Sequence, residues 1–275
     1  MKPVNFDYAR PKDVDASLSL LAEDGRSVKV VAGSQSLGPM LNMRLVQPDL
    51  LLDITGIDEL RQVKEETDGI VIGACITHCD IEDRRVPDVT GGALPSVAHG
   101  IAYRAVRNRG TIGGSLTHAD PSADWISILA ALGALVTLRG LEGVLTIPVE
   151  DYMLGALEAD LRPGELLVSV KAPRLGRAAR WGYHKICRKT GEFANAIGAF
   201  VVDPERGVCR AVIGATETRP IVIADARRVI ADGAPEHFDA QAADDLASSA
   251  GMNDPLERQT HVVALRRALE RAASR

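Results

Sequence analysis

Only four cysteines occur in the 275 residues, Cys75, Cys79, Cys187 and Cys209, too sparse for a disulfide scaffold and spaced like neither a zinc pair nor an iron–sulfur ligand run. Free thiols in a reducing compartment are the expectation. Residues 1–8 contain no signal-peptide core, and nowhere is there an uninterrupted apolar run of about 18 residues. The sequence therefore predicts a cytoplasmic chain with no transmembrane segment. A basic excess is missing as well: 32 Lys and Arg against 37 Asp and Glu leave a net charge of −5, so no nucleic-acid partner is expected. No Gly-x-Ser-x-Gly elbow and no Cys–His pair in a catalytic context is present, which leaves no nucleophilic triad. His78 lies between Cys75 and Cys79, but a strand and turn there would need a fourth ligand from elsewhere to hold a metal, and structural roles are expected for these side chains.

What the sequence does have is a 46% hydrophobic fraction, enough for a substantial core, and a length that at roughly 150 residues per domain suggests two domains. Val28 to Ala32 reads as a strand that stops at Gly33-Ser34-Gln35-Ser36. A helix should follow, with Leu37, Met40, Leu41 and Leu45 on one face, Pro39 in its first turn and Pro48 limiting its end; Leu50 to Ile54 reads as the next strand. From about Ile57 to Pro173 short strands such as Gly69 to Gly73 mix with two helices. The first carries the stripe Leu94, Val97, Ala98, Ile101, Ala105; the second starts at Asp120-Pro121 as N-cap and first residue and runs through Trp125, Ile128, Leu129 and Leu132. Between them Arg107 to Leu116 reads as a glycine-dense loop. The pattern changes near Pro173 to Arg177. Beyond it three strands, Trp181 to Lys185, Ala196 to Val202 and Val208 to Ala215, precede two helices over about 225–249 and 256–273.

Three constellations carry chemistry. In the strand–loop–helix at residues 28–46, Gly33, Ser34 and Ser36 are small enough for backbone amides to converge on a phosphate, although the loop has neither the Rossmann nor the P-loop spacing and, taken alone, reads better as an ordinary turn. Thr111-Ile112-Gly113-Gly114-Ser115 adds a second small-residue surface, and two such loops suit a diphosphate better than either alone. Asp124 can cap a helix or accept hydrogen bonds from a ligand, and Lys185 is either a solvated cation or one that faces an anion or a flavin edge.

These segments, taken together, resemble a known family. Ala32-Gly33-Ser34-Gln35-Ser36-Leu37 with Pro39-Met40, Arg44-Leu45, Pro48 and Leu52-Asp53-Ile54 is similar to the first FAD-binding motif of the molybdenum hydroxylase flavoprotein subunits, a family that includes the flavin domain of xanthine dehydrogenase. Val106 to Leu116 followed by His118 to Asp124 resembles the second motif, and the likeness continues through Leu161 to Leu167 and Lys185 to Arg188. The family implies an α+β fold: a FAD-binding domain of the vanillyl-alcohol oxidase (PCMH) type over residues 1–176, in two α/β subdomains of about 1–56 and 57–176. A C-terminal domain of three strands with helices over 177–275 would complete it. It implies that Ala32, Gly33, Ser34, Gln35, Ser36 and Leu37 wrap the diphosphate, that Thr111, Gly114 and Ser115 line its other side, that Asp124 holds a polar part of FAD, that Ile101 and Leu167 pack on it, and that Lys185 lies near the isoalloxazine. Two departures stand out: Ser34 where a second glycine is common, and Ser115 where Asn is usual.

Such a chain would need no catalytic side chain of its own and no bound metal. The resemblance implies a FAD-binding electron-transfer subunit of a heterotrimeric molybdenum hydroxylase, built with a large molybdopterin-binding subunit and a small [2Fe–2S] subunit, as a dimer of heterotrimers, which passes electrons to an external acceptor. Two alternatives are a self-contained FAD oxidoreductase of the muramate dehydrogenase or vanillyl-alcohol oxidase type, and an assembly protein that kept the fold without the flavin. Neither the substrate oxidised at molybdenum nor the acceptor is encoded in these motifs.

Overall fold

A computed structural model describes residues 2–230 and 237–275. The chain begins as a three-stranded parallel sheet in the order β1-β3-β2, formed by β1 (Asp7–Ala9), β2 (Val28–Val31) and β3 (Leu50–Asp53), with helices α1 (Val14–Leu21) and α2 (Leu37–Asn42) in the crossovers. Helix α1 is started by Asp13, whose carboxylate accepts from the Ala16 amide at 2.7 Å, and it buries Val14 and Leu18 against Leu52 and Ile54. Helix α2 is shorter than the sequence predicts. Arg44 adopts a left-handed φ of 57° and the Leu45 amide returns to the Met40 carbonyl, which closes the helix at Asn42 and leaves Leu45 68% exposed.

The second sheet has five antiparallel strands in the order β4-β5-β10-β6-β7. Its strands are β4 (Val63–Glu65), β5 (Gly69–Gly73), β6 (Leu135–Gly140), β7 (Gly143–Pro148) and β10 (Leu166–Pro173), with a small hairpin of β8 (Met153–Gly155) and β9 (Glu158–Ala159) beside it. Six helices, α3 (His78–Glu82), α4 (Ala93–Gly100), α5 (Arg104–Arg107), α6 (Ile112–His118), α7 (Asp124–Leu132) and α8 (Val149–Tyr152), replace the expected two. The expected stripe from Leu94 to Ala105 breaks at Ile101: Ala102 has φ 41°, and the Arg107 guanidinium holds the break by donating to the Ile101 and Ala102 carbonyls at 2.9 and 3.0 Å. The glycine-dense segment is only half loop, because Thr111 accepts from the Gly114 amide and caps α6. Helix α7 starts at Asp124 instead of Pro121; the Asp120 carboxylate accepts from Ser122 and forms a turn.

Every residue of α7 is buried, an all-round burial expected of a helix with protein on each side. It packs on α4, α6 and β10 and, on its other flank, on the C-terminal sheet. That sheet is antiparallel in the order β11-β12-β13-β14, from β11 (Arg180–Ile186), β12 (Ala196–Asp203), β13 (Val208–Gly214) and β14 (Ile221–Ile223). The fourth strand corrects the expected three: Ile221-Val222-Ile223 is too short to show a period, and only its pairing with Ala211 to Ile213 makes it a strand. Helix α9 (Ala240–Ser249) covers only the end of the helix expected over 225–249; Ala226–Val229 is a 3₁₀ turn, and residues 231–236 lie outside the described residues. Helix α10 (Pro255–Ala273) matches its expected span closely. Among the described residues no helix is long and apolar enough to cross a membrane.

Two glycines set how closely α10 lies on the sheet. A Cβ at Gly182 would fall 1.8 Å from the Ala268 carbonyl oxygen, and one at Gly198 2.4 Å from that of Ala264. Gly198→Val should therefore lift α10 from β12 and cost about 1–3 kcal/mol or more by overpacking. The expected readout is a fall in the thermal midpoint of about 2–4 °C per kcal/mol; an unchanged midpoint would mean that α10 is not seated on this sheet as described.

Candidate functional site

The loop after β2 exposes backbone donors. Among the described residues, the amides of Gly33, Ser34, Gln35 and Ser36 donate to no protein acceptor, while the loop holds its shape through Gln35 Nε2 to the Gly33 carbonyl at 2.9 Å and the Gly38 amide to the Ser34 carbonyl at 3.1 Å. Ser34 has a left-handed φ of 59° and Ser36 is right-handed at φ −104°, ψ −48°. Backbones that alternate in this way turn successive N–H groups toward one point and form an anion-binding concavity. The left-handed position also explains why glycine suits residue 34: serine carries steric strain there that glycine lacks.

The second loop is pressed against the first. A Cβ at Gly33 would stand 2.1 Å from the Arg109 carbonyl oxygen, and one at Gly114 would lie 3.7 Å from the Ala32 Cβ. Thus residues 76 to 82 positions apart in sequence line one cradle, and glycine at 33 is required by the close approach. The two loops are not chemically equivalent, however. The amides of Ile112, Gly113, Gly114 and Ser115 are already bonded, to the carbonyls of Ile76 and Ala74, to Thr111 Oγ1 and to the Thr111 carbonyl. Thr111 is buried with its hydroxyl committed to the cap, whereas Gly114 is exposed. The first loop supplies donors; the second supplies shape and the Ser115 side chain.

Beneath the second loop sits His78, read from the sequence as structural. It is buried, its amide donates to the Gly110 carbonyl at 2.9 Å, and its Nδ1 accepts from Trp125 Nε1 at 3.0 Å. Burial, helped by the nearby Arg107 charge, lowers its pKa to about 4, so the ring is neutral at pH 7. Among the described residues no three His, Cys, Asp or Glu side chains are grouped to hold a metal.

One residue before Trp125, Asp124 anchors the other half of the site. Its buried carboxylate accepts from the Tyr183 hydroxyl at 2.6 Å and from Lys185 Nζ at 3.0 Å, and Lys185 also donates to the Gly100 carbonyl at 2.9 Å. The side chains are 8% and 11% exposed, so Lys185 is no solvated surface cation, and Asp124 does not cap α7, whose N-cap is Ala123. Burial raises the Asp124 pKa, opposed by Lys185 and Tyr183; burial and the Asp124 charge push the Tyr183 phenol well up. A cavity of about 460 Å³ opens beside them, walled by Gly100, Asp124, Tyr183, Lys185 and Cys187 among others. Half-buried Ile101 follows directly on Gly100, whereas Leu167 is 3% exposed within the core around α7 and lines no part of this cavity. Neither Tyr183 nor Trp125 is given a role in the site by the sequence alone. Tyr183 was findable, since it alternates with Lys185 on β11, but its bond to Asp124 spans 59 positions.

The family described as FAD binding domain in molybdopterin dehydrogenase matches residues 4–175. The carbon monoxide dehydrogenase medium chain of Afipia carboxidovorans is 34% identical over 289 aligned positions, covering 100% of this chain and 99% of that one. The 6-hydroxypseudooxynicotine dehydrogenase complex subunit alpha of Paenarthrobacter nicotinovorans is 37% identical over 210 positions, 76% of this chain and 71% of that one. Among solved structures, a chain of the carbon monoxide dehydrogenase of Hydrogenophaga pseudoflava superposes with a TM-score of 0.87 at 31% identity, covering 100% of this chain and 99% of that one. A chain of the quinoline 2-oxidoreductase of Pseudomonas putida 86 reaches 0.86 at 31% identity, with 100% and 99% covered.

The neutral, buried His78 predicts an acid response. Its folded pKa of about 4 lies below the ordinary 6.5, so the unfolded chain takes up a proton that the folded chain refuses. Its contribution is fully present above pH 6.5 and is lost as pH falls toward 4, at up to about 1.4 kcal/mol per pH unit. Urea unfolding between pH 7 and pH 4.5 should show a shallower loss in His78→Asn than in the parent; equal slopes would remove His78 from this role.

Proposed function

This chain belongs to the family of FAD-binding domains of the molybdopterin dehydrogenases and is the flavoprotein subunit of such an oxidoreductase; from that premise we propose that it is the electron-transfer subunit of a heterotrimeric molybdenum hydroxylase. The observation that carries this reading is the set of four unpartnered amides at residues 33–36, closed on one side by the glycine surface of residues 110–114. A flavin diphosphate fits that donor set, since it is an anion that accepts several N–H groups at once. Bound FAD supplies exchange of electrons between the iron–sulfur carriers and an external acceptor.

The residues divide the work of holding it. Gly33, Ser34, Gln35 and Ser36 donate to the phosphates, with Ala32 and Leu37 flanking them. Gly114 leaves room for close approach on the facing side, Thr111 fixes that loop through its cap, and the Ser115 hydroxyl is free to bond the cofactor. Asp124 and Lys185, already aligned by Tyr183, offer an acceptor and a cation at the cavity between α4 and β11; Ile101, next in the chain to the Gly100 wall, and Leu167, in the core around α7, are the apolar side chains assigned to the flavin. We keep the division at residues 1–176 and 177–275, the first in subdomains of about 1–56 and 57–176. The assembly is a dimer of heterotrimers in the cytoplasm, with molybdenum cofactor in a large subunit and [2Fe–2S] clusters in a small one. The relatives aligned across the chain are subunits of such dehydrogenases, which favours this reading over a self-contained flavin oxidoreductase.

Two measurements test it. Gly33→Val should lose FAD during purification, because separating the loops removes charge-assisted amide bonds worth about 1.5–3 kcal/mol each. Affinity should fall roughly a hundredfold or more. Full flavin content in Gly33→Val would refute the cradle. Purified with whatever accompanies it from its native host, the chain should carry FAD together with a molybdopterin subunit and a two-cluster iron–sulfur subunit. A flavin-bearing lone chain that turns over a substrate would instead establish the self-contained enzyme.

A further inference from the structure

Strand β11 is one edge of the C-terminal sheet, and two adjoining cavities of about 460 and 410 Å³ lie along it, sharing His184, Arg271 and Ser274 as walls. Into them α10 projects positive charge. Arg267 and Arg271 stand one helical turn apart: Arg267 Nη1 lies 3.3 Å from His184 Nε2, and Arg271 Nη1 donates to the Tyr183 carbonyl at 2.6 Å. A third arginine, Arg275, lies over the Trp181 ring at 3.7 Å. Among the described residues neither Arg267 nor Arg271 forms an ion pair with a carboxylate. Glu270, on the wall of the smaller cavity, is 3.5 Å from Arg266 instead.

Helix energetics does not account for this row. The helix dipole favours a cation in the last turn, which covers Arg271, but Arg267 lies a turn earlier, and like charges four residues apart oppose each other. The histidine between the arginines carries the same imbalance. Burial and the charges of Arg271 and Arg267 lower the His184 pKa to about 4. Arginine only donates, so Nε2 is the acceptor and the proton sits on Nδ1, a buried donor with no acceptor. Two unpaired guanidiniums and an unanswered donor beside a cavity of ligand size form a site short of an anion.

We propose that this groove binds a phosphate-bearing small molecule, with its phosphate oxygens on the Arg267 and Arg271 guanidiniums. The larger cavity runs from Arg271 to Lys185 and Asp124, so a molecule held by its phosphates at α10 reaches the side chains assigned above to the flavin. A nucleotide electron acceptor has that anatomy, and a quinone, without an anionic group, has no use for the arginines. Free phosphate or pyrophosphate is the other source of the same chemistry. The groove stands on its own geometry and does not depend on the flavin assignment.

Calorimetric titration of the full chain with sodium pyrophosphate tests this, in the parent and in Arg267→Gln and Arg271→Gln. A binding component should appear that weakens roughly tenfold in each variant. Arg267 is exposed, so its variant keeps the test valid even if loss of the Arg271 contact to Tyr183 lowers the melting temperature. Competition by NAD⁺ for that component identifies a nucleotide site, and pyrophosphate binding without competition identifies a free-phosphate site; both sustain the proposal. Absence of binding, or binding unchanged in both variants, overturns it. A chain that binds no FAD but keeps the arginine-dependent component would refute the flavin reading alone.

Discussion

Helix α7 is the member on which the site depends. Being buried along its whole length, it cannot shift without moving what packs on it. From its first turn Asp124 reaches Tyr183 and Lys185 on the C-terminal sheet, and Trp125 reaches His78, whose backbone holds Gly110. A Cβ at Gly214 would lie 1.9 Å from Ser127 Oγ, so the same helix also sets the separation of that sheet. The second loop and the Asp124–Lys185 side of the site are therefore registered by successive residues of one helix.

Charge is used in the same way, to specify position more than to add stability. The Asp124–Lys185 pair is almost fully removed from water, and the cost of dehydrating both ions offsets much of their attraction. What the pair gains is a defined orientation, since each ion has a further partner, Tyr183 on one side and the Gly100 carbonyl on the other. A second network does similar work at the break between α4 and α5. Glu82 accepts from Arg107, His99 and Arg104, and these bonds, Arg107 foremost, bring its pKa down to about 2. Arg107 is thereby held where it can bind the Ile101 and Ala102 carbonyls, which fixes the chain break directly after Gly100 on the cavity wall.

The asymmetry of the two glycine loops bears on how such a site tolerates change. At residue 34 the backbone is left-handed and its amide is a free donor, so a serine costs some strain but keeps the N–H. At residue 115 the amide is already used, so any side chain that leaves the α6 turn intact preserves the loop's shape. Substitution at both positions is thus compatible with an intact cradle, for different physical reasons.

By itself the sequence determined the local features: the strand before Gly33, the small residues of both loops, the long amphipathic α10 and the absence of triad or metal spacing, because hydrophobic periodicity and backbone permissiveness act over a few residues. It carried enough motif to point to the flavin family through two separated segments read together. Only the tertiary structure decided that Gly33 and Arg109 touch, that Thr111 spends its hydroxyl on a cap, that a three-residue run becomes a fourth strand, and that Asp124 meets Tyr183 and Lys185 instead of capping its helix. Each of those outcomes is a contact between segments distant in the chain or a competition for one hydrogen-bonding group, and neither is settled until packing brings the competitors together.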